Sequence, residues 1–141
     1  MVSKYLPIGL IVLSSLFYHL SQKSTPANLN PIATLIVTYV SASAVSIVSF
    51  FIFVPDASLS QSLRTINWSS LLLGFAVVGL ELGFLLSYRI GWNISIAGLL
   101  SNTLVALLLI PIGLLIYKET ISLTAVSGVI LCITGLILIS K

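Results

Sequence analysis

The stretch from Trp68 to Tyr88 reads WSSLLLGFAVVGLELGFLLSY. About 20 predominantly apolar residues let a helix cross the hydrocarbon core of a bilayer, and this run has that length. It nevertheless carries Glu81, one of three acids in the chain. A carboxylate at such depth costs on the order of 3 kcal/mol unless it is paired, protonated or wetted. An intramembrane acid therefore points to an ion or substrate site. The structural alternative is a carboxylate paired internally with a base such as His19 or Arg89.

Composition places the rest of the chain in the same solvent. Hydrophobic residues make up 58% and charged residues 6%, against roughly 25% charged in a soluble domain. So few charges cannot cover a water-facing surface, and lipid must solvate the chain instead. The net charge of +3 comes from basic residues scattered singly, which form no nucleic-acid patch. Cys132 is the one cysteine, so an intrachain disulfide and a Cys-based metal cluster are excluded. It reads as a small packing residue in an apolar run. There is no nucleotide loop, no nucleophile–base pair in an aqueous setting and no cluster of metal ligands. The chain is therefore not read as an enzyme, and it requires neither cofactor nor metal.

Five apolar runs read as membrane spans: Leu6–Gln22, Pro31–Val54, Trp68–Tyr88, Ile94–Ile116 and Ile121–Ser140. The fold class is thus all-α, a polytopic membrane protein with five transmembrane helices in a single domain over residues 1–141. Lys4 before an apolar run has the look of a signal peptide. No small-residue cleavage site follows, and further spans do, so the first segment is read as retained. Pro7 and Pro31 stand at helix starts, where a missing N–H costs nothing. Trp68, Tyr88, Trp92 and Tyr117 fall at span ends, as in an aromatic belt. In the long connection Pro55–Asn67, Leu59, Leu63 and Ile66 predict a short interfacial helix. Pro111 removes one backbone hydrogen bond from the fourth span and predicts a kink there.

The basic residues divide evenly. Lys4, Arg64 and Lys118 fall on one side, and Lys23, Arg89 and Lys141 on the other. Orientation is normally set by an excess of Lys and Arg in cytoplasmic loops. A tie predicts two-way insertion, the alternative being a fixed orientation set by weaker cues such as the N-terminal amine. Two copies inserted head to tail would assemble as inverted repeats, the usual plan of secondary transporters. The expected partner is then a second, antiparallel copy in a homodimer, beside the lipid bilayer and a small-molecule substrate.

Several polar residues share one depth. Glu81 lies about seven residues from its helix end, and Asn102 and Tyr39 about eight, or roughly 10–12 Å below the interface. Cys132 and Thr134 are at similar depth, and Tyr18 and His19 lie nearer the edge. Transporter substrate sites occupy this level. Glu81, Asn102, Tyr39, His19 and Tyr18 are therefore candidates for substrate binding or proton coupling. The bland alternative is that Tyr, Asn and Thr bond between helices, each worth about 0.6–2 kcal/mol. His19, with an ordinary pKa near 6.5, is a candidate relay to Glu81 or else an interfacial group. Lys23 has the stem to snorkel. Gly79 and Gly83 form G-x-x-x-G around Glu81, a spacing that lets helix backbones approach closely. They are expected to bring a neighbouring helix against the acid. Thr38, Ala42 and Ser46, and Gly128 and Gly135 in the last span, are further packing candidates.

The C-terminal stretch LLIYKETISLTAVSGVILCITGLILIS resembles the end of an EamA-type repeat. The likeness lies in Glu119 before the last helix, then Gly128, an apolar run and Gly135. The first span, ending LSQKSTP with Lys23, is similar in layout to the small multidrug resistance family. Both belong to the drug/metabolite transporter superfamily. The resemblance implies a five-helix unit equivalent to half of an inverted-repeat transporter. It also implies an antiparallel pair and residence in the cytoplasmic (inner) membrane of a prokaryote. The chain departs from the smaller family in helix number. It also lacks that family's first-helix glutamate, since Leu13, Ser14, Ser15 and Leu16 stand in the matching region. The expected function is a secondary transporter or exporter of small organic solutes. The alternatives are a subunit of a lipid-linked sugar flippase, an accessory protein needing a partner chain, or a structural membrane protein.

Overall fold

The computed structural model describes residues 5–120 and 122–139. Lys4 and Lys141, both counted in the topology tie, lie outside the described residues, as do Ile121 and Ser140 at the ends of the fifth expected span. Among the described residues there are six helices: α1 (Leu6–Ser24), α2 (Pro31–Phe53), α3 (Leu59–Arg64), α4 (Trp68–Arg89), α5 (Ile94–Leu115) and α6 (Leu123–Ile139). Three of them, α2, α4 and α5, are long and apolar enough to cross a membrane. The chain is thus an all-helical protein with the hallmarks of membrane residence. α1 is 19 residues long but carries His19, Gln22 and Lys23, and α6 is 17 residues long.

Local chemistry explains the helix ends. The Asn30 side chain accepts from the amides of Ile32 (2.9 Å) and Ala33 (3.3 Å), and Pro31 fills the first helical position of α2. Such a cap supplies partners to amides that a helix start leaves unpaired. Asn67 does the same for α4 by accepting from the Ser69 amide at 3.0 Å. Gly91, at φ +101°, makes the turn from α4 to α5 that an L side chain resists. α5 continues through Pro111 without a break. Beyond it, Lys118 adopts φ +53°, and the Glu119 amide turns back to the Gly113 carbonyl at 3.0 Å. The short helix expected in Pro55–Asn67 is present as α3.

The chain divides into two compact units, Ser21–Arg89 and the residues up to Leu20 with those from Ile90 onward. In the first, α2 packs on α4. They run antiparallel, because Arg89 at the end of α4 bonds the Leu29 carbonyl just ahead of α2. The buried positions of α4 are Glu81, Leu85 and Tyr88, one stripe at helical spacing. Leu35 is the buried position of α2. In the second unit α5 packs on α6, and the buried residues of α5 are Ala97, Gly98 and Gly113.

Hydroxyls along α2 satisfy themselves. Thr34, Thr38, Ser41 and Ser46 each donate to the carbonyl four residues back, at 2.8–3.1 Å. A hydroxyl so bonded needs no neighbouring helix, and these side chains are free to face lipid.

Candidate functional site

The Ser21–Arg89 unit brings two of the candidate residues together. Tyr39 lies eight residues into α2 and Glu81 eight residues before the end of α4. In antiparallel helices that is one level, about 12 Å from the end where Arg89 meets Leu29. The Tyr39 hydroxyl lies within electrostatic reach of the Glu81 carboxylate. Glu81 is only 8% exposed. Its Oε2 and the Tyr39 hydroxyl are both buried without a hydrogen-bond partner among the described residues. Buried polar atoms almost always find partners, so two orphans at one level form a site with unmet bonding capacity.

Arg89 does not supply the missing partner. Its Nη2 donates to the Leu29 carbonyl at 2.7 Å and the Pro26 carbonyl at 3.5 Å. Lys23 lies over the Tyr88 ring, 5.7 Å from its centre. Tyr88, expected in the interfacial belt, is instead buried at 5% exposure. The reason is its place seven residues after Glu81, on the packed stripe of α4. Trp68 and Tyr117 are exposed, as belt residues should be.

Next to Tyr39 an open, mostly apolar groove of about 620 Å³ runs along α4, lined by Leu71, Leu73, Gly74, Phe75, Val77 and Val78, with Ser70 at its end. It points from the Tyr39 level toward the start of α4.

The other candidates belong to the second unit. His19 lies over Gly98, where an added Cβ would stand 3.5 Å from its Nε2. Tyr18 meets the His19 ring edge to face at 5.1 Å. Asn102 is exposed on α5.

The glycine contacts expected within or between subunits are not made within this chain at Gly79, Gly83, Gly128 or Gly135. Gly79 and Gly83 have open space where a Cβ would stand. Two residues turn a helix by about 200°, so both glycines lie on the face of α4 opposite Glu81, and a helix packed on them, from this chain or a second copy, would not lie against the acid. Gly128 and Gly135 are also open within this chain. The glycines that meet other side chains are Gly98 and Gly113, which the G-x-x-x-G pattern does not mark. At Gly113 a Cβ would stand 2.7 Å from Glu119 Oε2. Cys132, expected in packing, is exposed on α6.

Leu35, Leu85 and the carbonyl-bonding role of Arg89 were not legible beforehand. The stripe Glu81–Leu85–Tyr88 is periodic, but in a run this apolar every face looks buried. No family model, curated protein or solved structure matches the chain.

Proposed function

We propose that this chain is a secondary membrane carrier of small organic solutes, acting as an antiparallel homodimer with alternating access. Glu81 and Tyr39 form the core of its binding or coupling site. The observation that carries this reading is the Glu81 carboxylate, buried in a membrane-length helix with an orphaned oxygen. A structural carboxylate would require a resident partner, and none bonds this oxygen among the described residues; Arg89 bonds the Leu29 and Pro26 carbonyls through its Nη2, and its own Nε is buried without a partner. A proton or the ammonium group of a cargo would supply what is missing. The apolar groove beside Tyr39 suits the body of an amphipathic amine or an amino-acid-like solute. Protonation of Glu81 would neutralise the site and release a cationic cargo, which couples proton entry to solute exit. Asn102, His19 and Tyr18 are secondary candidates for the same role.

In this reading α1 and α6 complete five spans. At 1.5 Å per residue they reach about 28 and 25 Å, short of a 30 Å core, and local thinning of the bilayer accommodates them. The membrane proposed is the cytoplasmic membrane of a prokaryote.

The test is Glu81→Gln in proteoliposomes, which keeps the shape and removes the charge. Solute uptake driven by a pH gradient should fall at least about tenfold, the loss typical of a group acting in proton transfer. Unchanged uptake would remove Glu81 from the mechanism. The antiparallel pair has its own measurement. In a Cys132→Ser background, one cysteine added after Lys141 should label from outside in about half the molecules, as a charge tie implies. One-sided labelling would point to a parallel assembly or a partner subunit.

A further inference from the structure

At the end of α4 two cations stand together, and no acid of the same unit stands with them. Lys23 lies over the Tyr88 ring, 5.7 Å from its centre, and Arg89 follows Tyr88 in the chain. The acids of the Ser21–Arg89 unit are Asp56 and Glu81. Asp56 follows α2 and so belongs to the opposite end of the antiparallel pair. Glu81 is buried about two turns inside α4. Arg89 is already fixed in place. Both of its bonds run from Nη2, to the Leu29 and Pro26 carbonyls, and its Nε is buried. That anchors the guanidinium and leaves Nη1 for a ligand. A planar group held this way loses little further freedom when an anion bonds it.

A groove begins at the same point. It starts at Leu29, whose carbonyl takes the shorter Arg89 bond, and runs along α2 to Ser41, with a volume of about 550 Å³. Twelve residues of helix rise about 18 Å. One leaflet of a 30 Å hydrocarbon core is about 15 Å deep, so the groove has the length of one acyl chain. Its hydroxyls are satisfied within α2. Thr34 donates to the Asn30 carbonyl, Thr38 to that of Thr34 and Ser41 to that of Val37, at 2.9–3.1 Å. A wall whose hydroxyls bond their own helix needs only shape from its occupant, which suits hydrocarbon. The groove along α4 is different, because Tyr39 in its wall has an unsatisfied hydroxyl.

From this juxtaposition we infer a binding site for one anionic phospholipid. Its phosphate rests on Arg89 and Lys23, and one acyl chain lies along α2 from Leu29 to Ser41. A charge-assisted bond from guanidinium to phosphate is about twice as strong as a neutral one. Lys23 adds a point charge on a stem long enough to cross the Tyr88 ring. The pair of cations selects net negative charge, because a zwitterionic headgroup brings an ammonium of its own. The site needs α2 and α4 to lie in a membrane. It does not need a transported solute, so it stands or falls apart from the carrier reading.

The purified chain, stripped of lipid in a neutral detergent, is titrated with dioleoyl phosphatidylglycerol, dioleoyl phosphatidylcholine or glycerol 3-phosphate. Native mass spectrometry counts the molecules bound. Phosphatidylglycerol should bind at least about tenfold tighter than phosphatidylcholine, since each cation beside an anionic headgroup contributes about fivefold. Glycerol 3-phosphate should bind at least about tenfold more weakly than phosphatidylglycerol, because no chain holds its phosphate at the site. Lys23→Gln and Arg89→Gln should each weaken phosphatidylglycerol about fivefold. Arg64→Gln, at the opposite end of the helix pair, should leave it unchanged. Val37 is 66% exposed in the middle of the groove, so a larger side chain there disturbs no core. Val37→Trp should weaken phosphatidylglycerol about threefold, the scale of one packing contact in lipid, and leave glycerol 3-phosphate unchanged. Equal affinities for the two lipids would mean an ordinary lipid annulus and would overturn the site. Glycerol 3-phosphate binding as tightly as phosphatidylglycerol would mean a phosphate site without a chain, which overturns it too. If Arg89→Gln does not fold, Lys23→Gln carries the test, because Lys23 is exposed and takes no part in the Arg89 bonds. Phosphatidylglycerol binding indifferent to Lys23→Gln would then reject the assignment.

Discussion

The α2–α4 pair and the α5–α6 pair are both built from strongly apolar sequence, but they bury different things. Between α2 and α4 the buried residues are large or charged: Leu35, Glu81, Leu85 and Tyr88. In α5 they are Ala97, Gly98 and Gly113, and polar Asn102 on α5 and Cys132 on α6 are exposed. The α2–α4 pair meets through side chains, whereas the buried glycines of α5 lie against the side chains of His19 and Glu119. In lipid the distinction matters, because association there depends on packing and interhelical bonds and gains nothing from burying apolar surface. Interlocked side chains fix a register, and a fixed register can hold a carboxylate and a phenol at one level. Small-residue contacts fix less and leave polar groups available to other partners.

The two glutamates carry the largest expected difference. Glu81 is buried with an orphaned oxygen, whereas Glu119 is exposed at the end of α5. Against the loss of pH-driven uptake expected for Glu81→Gln, Glu119→Gln should keep uptake within about twofold, since a surface carboxylate loses little when neutralised. Equal losses would mean that both carboxylates serve transport, and the contrast between the pairs would fail.

Packing supplies the next effect. Among the described residues Leu85 is the one fully buried large side chain, at 1% exposure, and Leu108 on α5 is 67% exposed. Leu85→Ala leaves a cavity between helices and should lower stability by about 2–3 kcal/mol. Leu108→Ala exchanges one lipid-facing surface for another and should change stability by less than about 0.5 kcal/mol. Unfolding in mixed micelles by increasing denaturant would read both. A small effect at Leu85 would show that the α2–α4 core is not what holds the Tyr39–Glu81 level.

The helices themselves were legible in the chain, for a physical reason. A membrane helix must be apolar along its whole length, so its ends show where Asn30, Pro31, Asn67 and Gly91 interrupt the run. The common level of Tyr39 and Glu81 along the α2–α4 pair was legible too, because rise per residue is constant. The azimuth was not. Tyr39 and Glu81 were expected at one depth with Asn102, and only the tertiary contacts of α2 and α4 single out the first two. The same blindness misplaced Gly79 and Gly83, whose spacing is suggestive but whose face is opposite Glu81. Arg89 was weighed as a partner for the acid, yet its partners are backbone carbonyls, which no side-chain pattern announces.

The smallest expected effect tests how tightly the backbone contact in the second unit is made. At Gly113 an added Cβ would stand 2.7 Å from Glu119 Oε2 and 3.4 Å from its Cδ, too close to remain. The atoms in the way, however, are the far end of a flexible side chain on an exposed residue. The carboxylate can swing outward, and the backbone bond from the Glu119 amide to the Gly113 carbonyl does not depend on it. Alanine also favours the helix by about 0.5–1 kcal/mol over glycine. The opposing terms should leave Gly113→Ala within about 0.5 kcal/mol of the parent. At Gly128 nothing lies within 4 Å of the added Cβ. Gly128→Ala should be equally mild for the single chain, and it would weaken self-association only if that face of α6 meets a second copy. A loss of about 2 kcal/mol at Gly113 would show instead that the Glu119 carboxylate is pinned. The α5–α6 pair would then carry a fixed acid of its own, and the two halves of the chain would be more alike than their buried residues suggest.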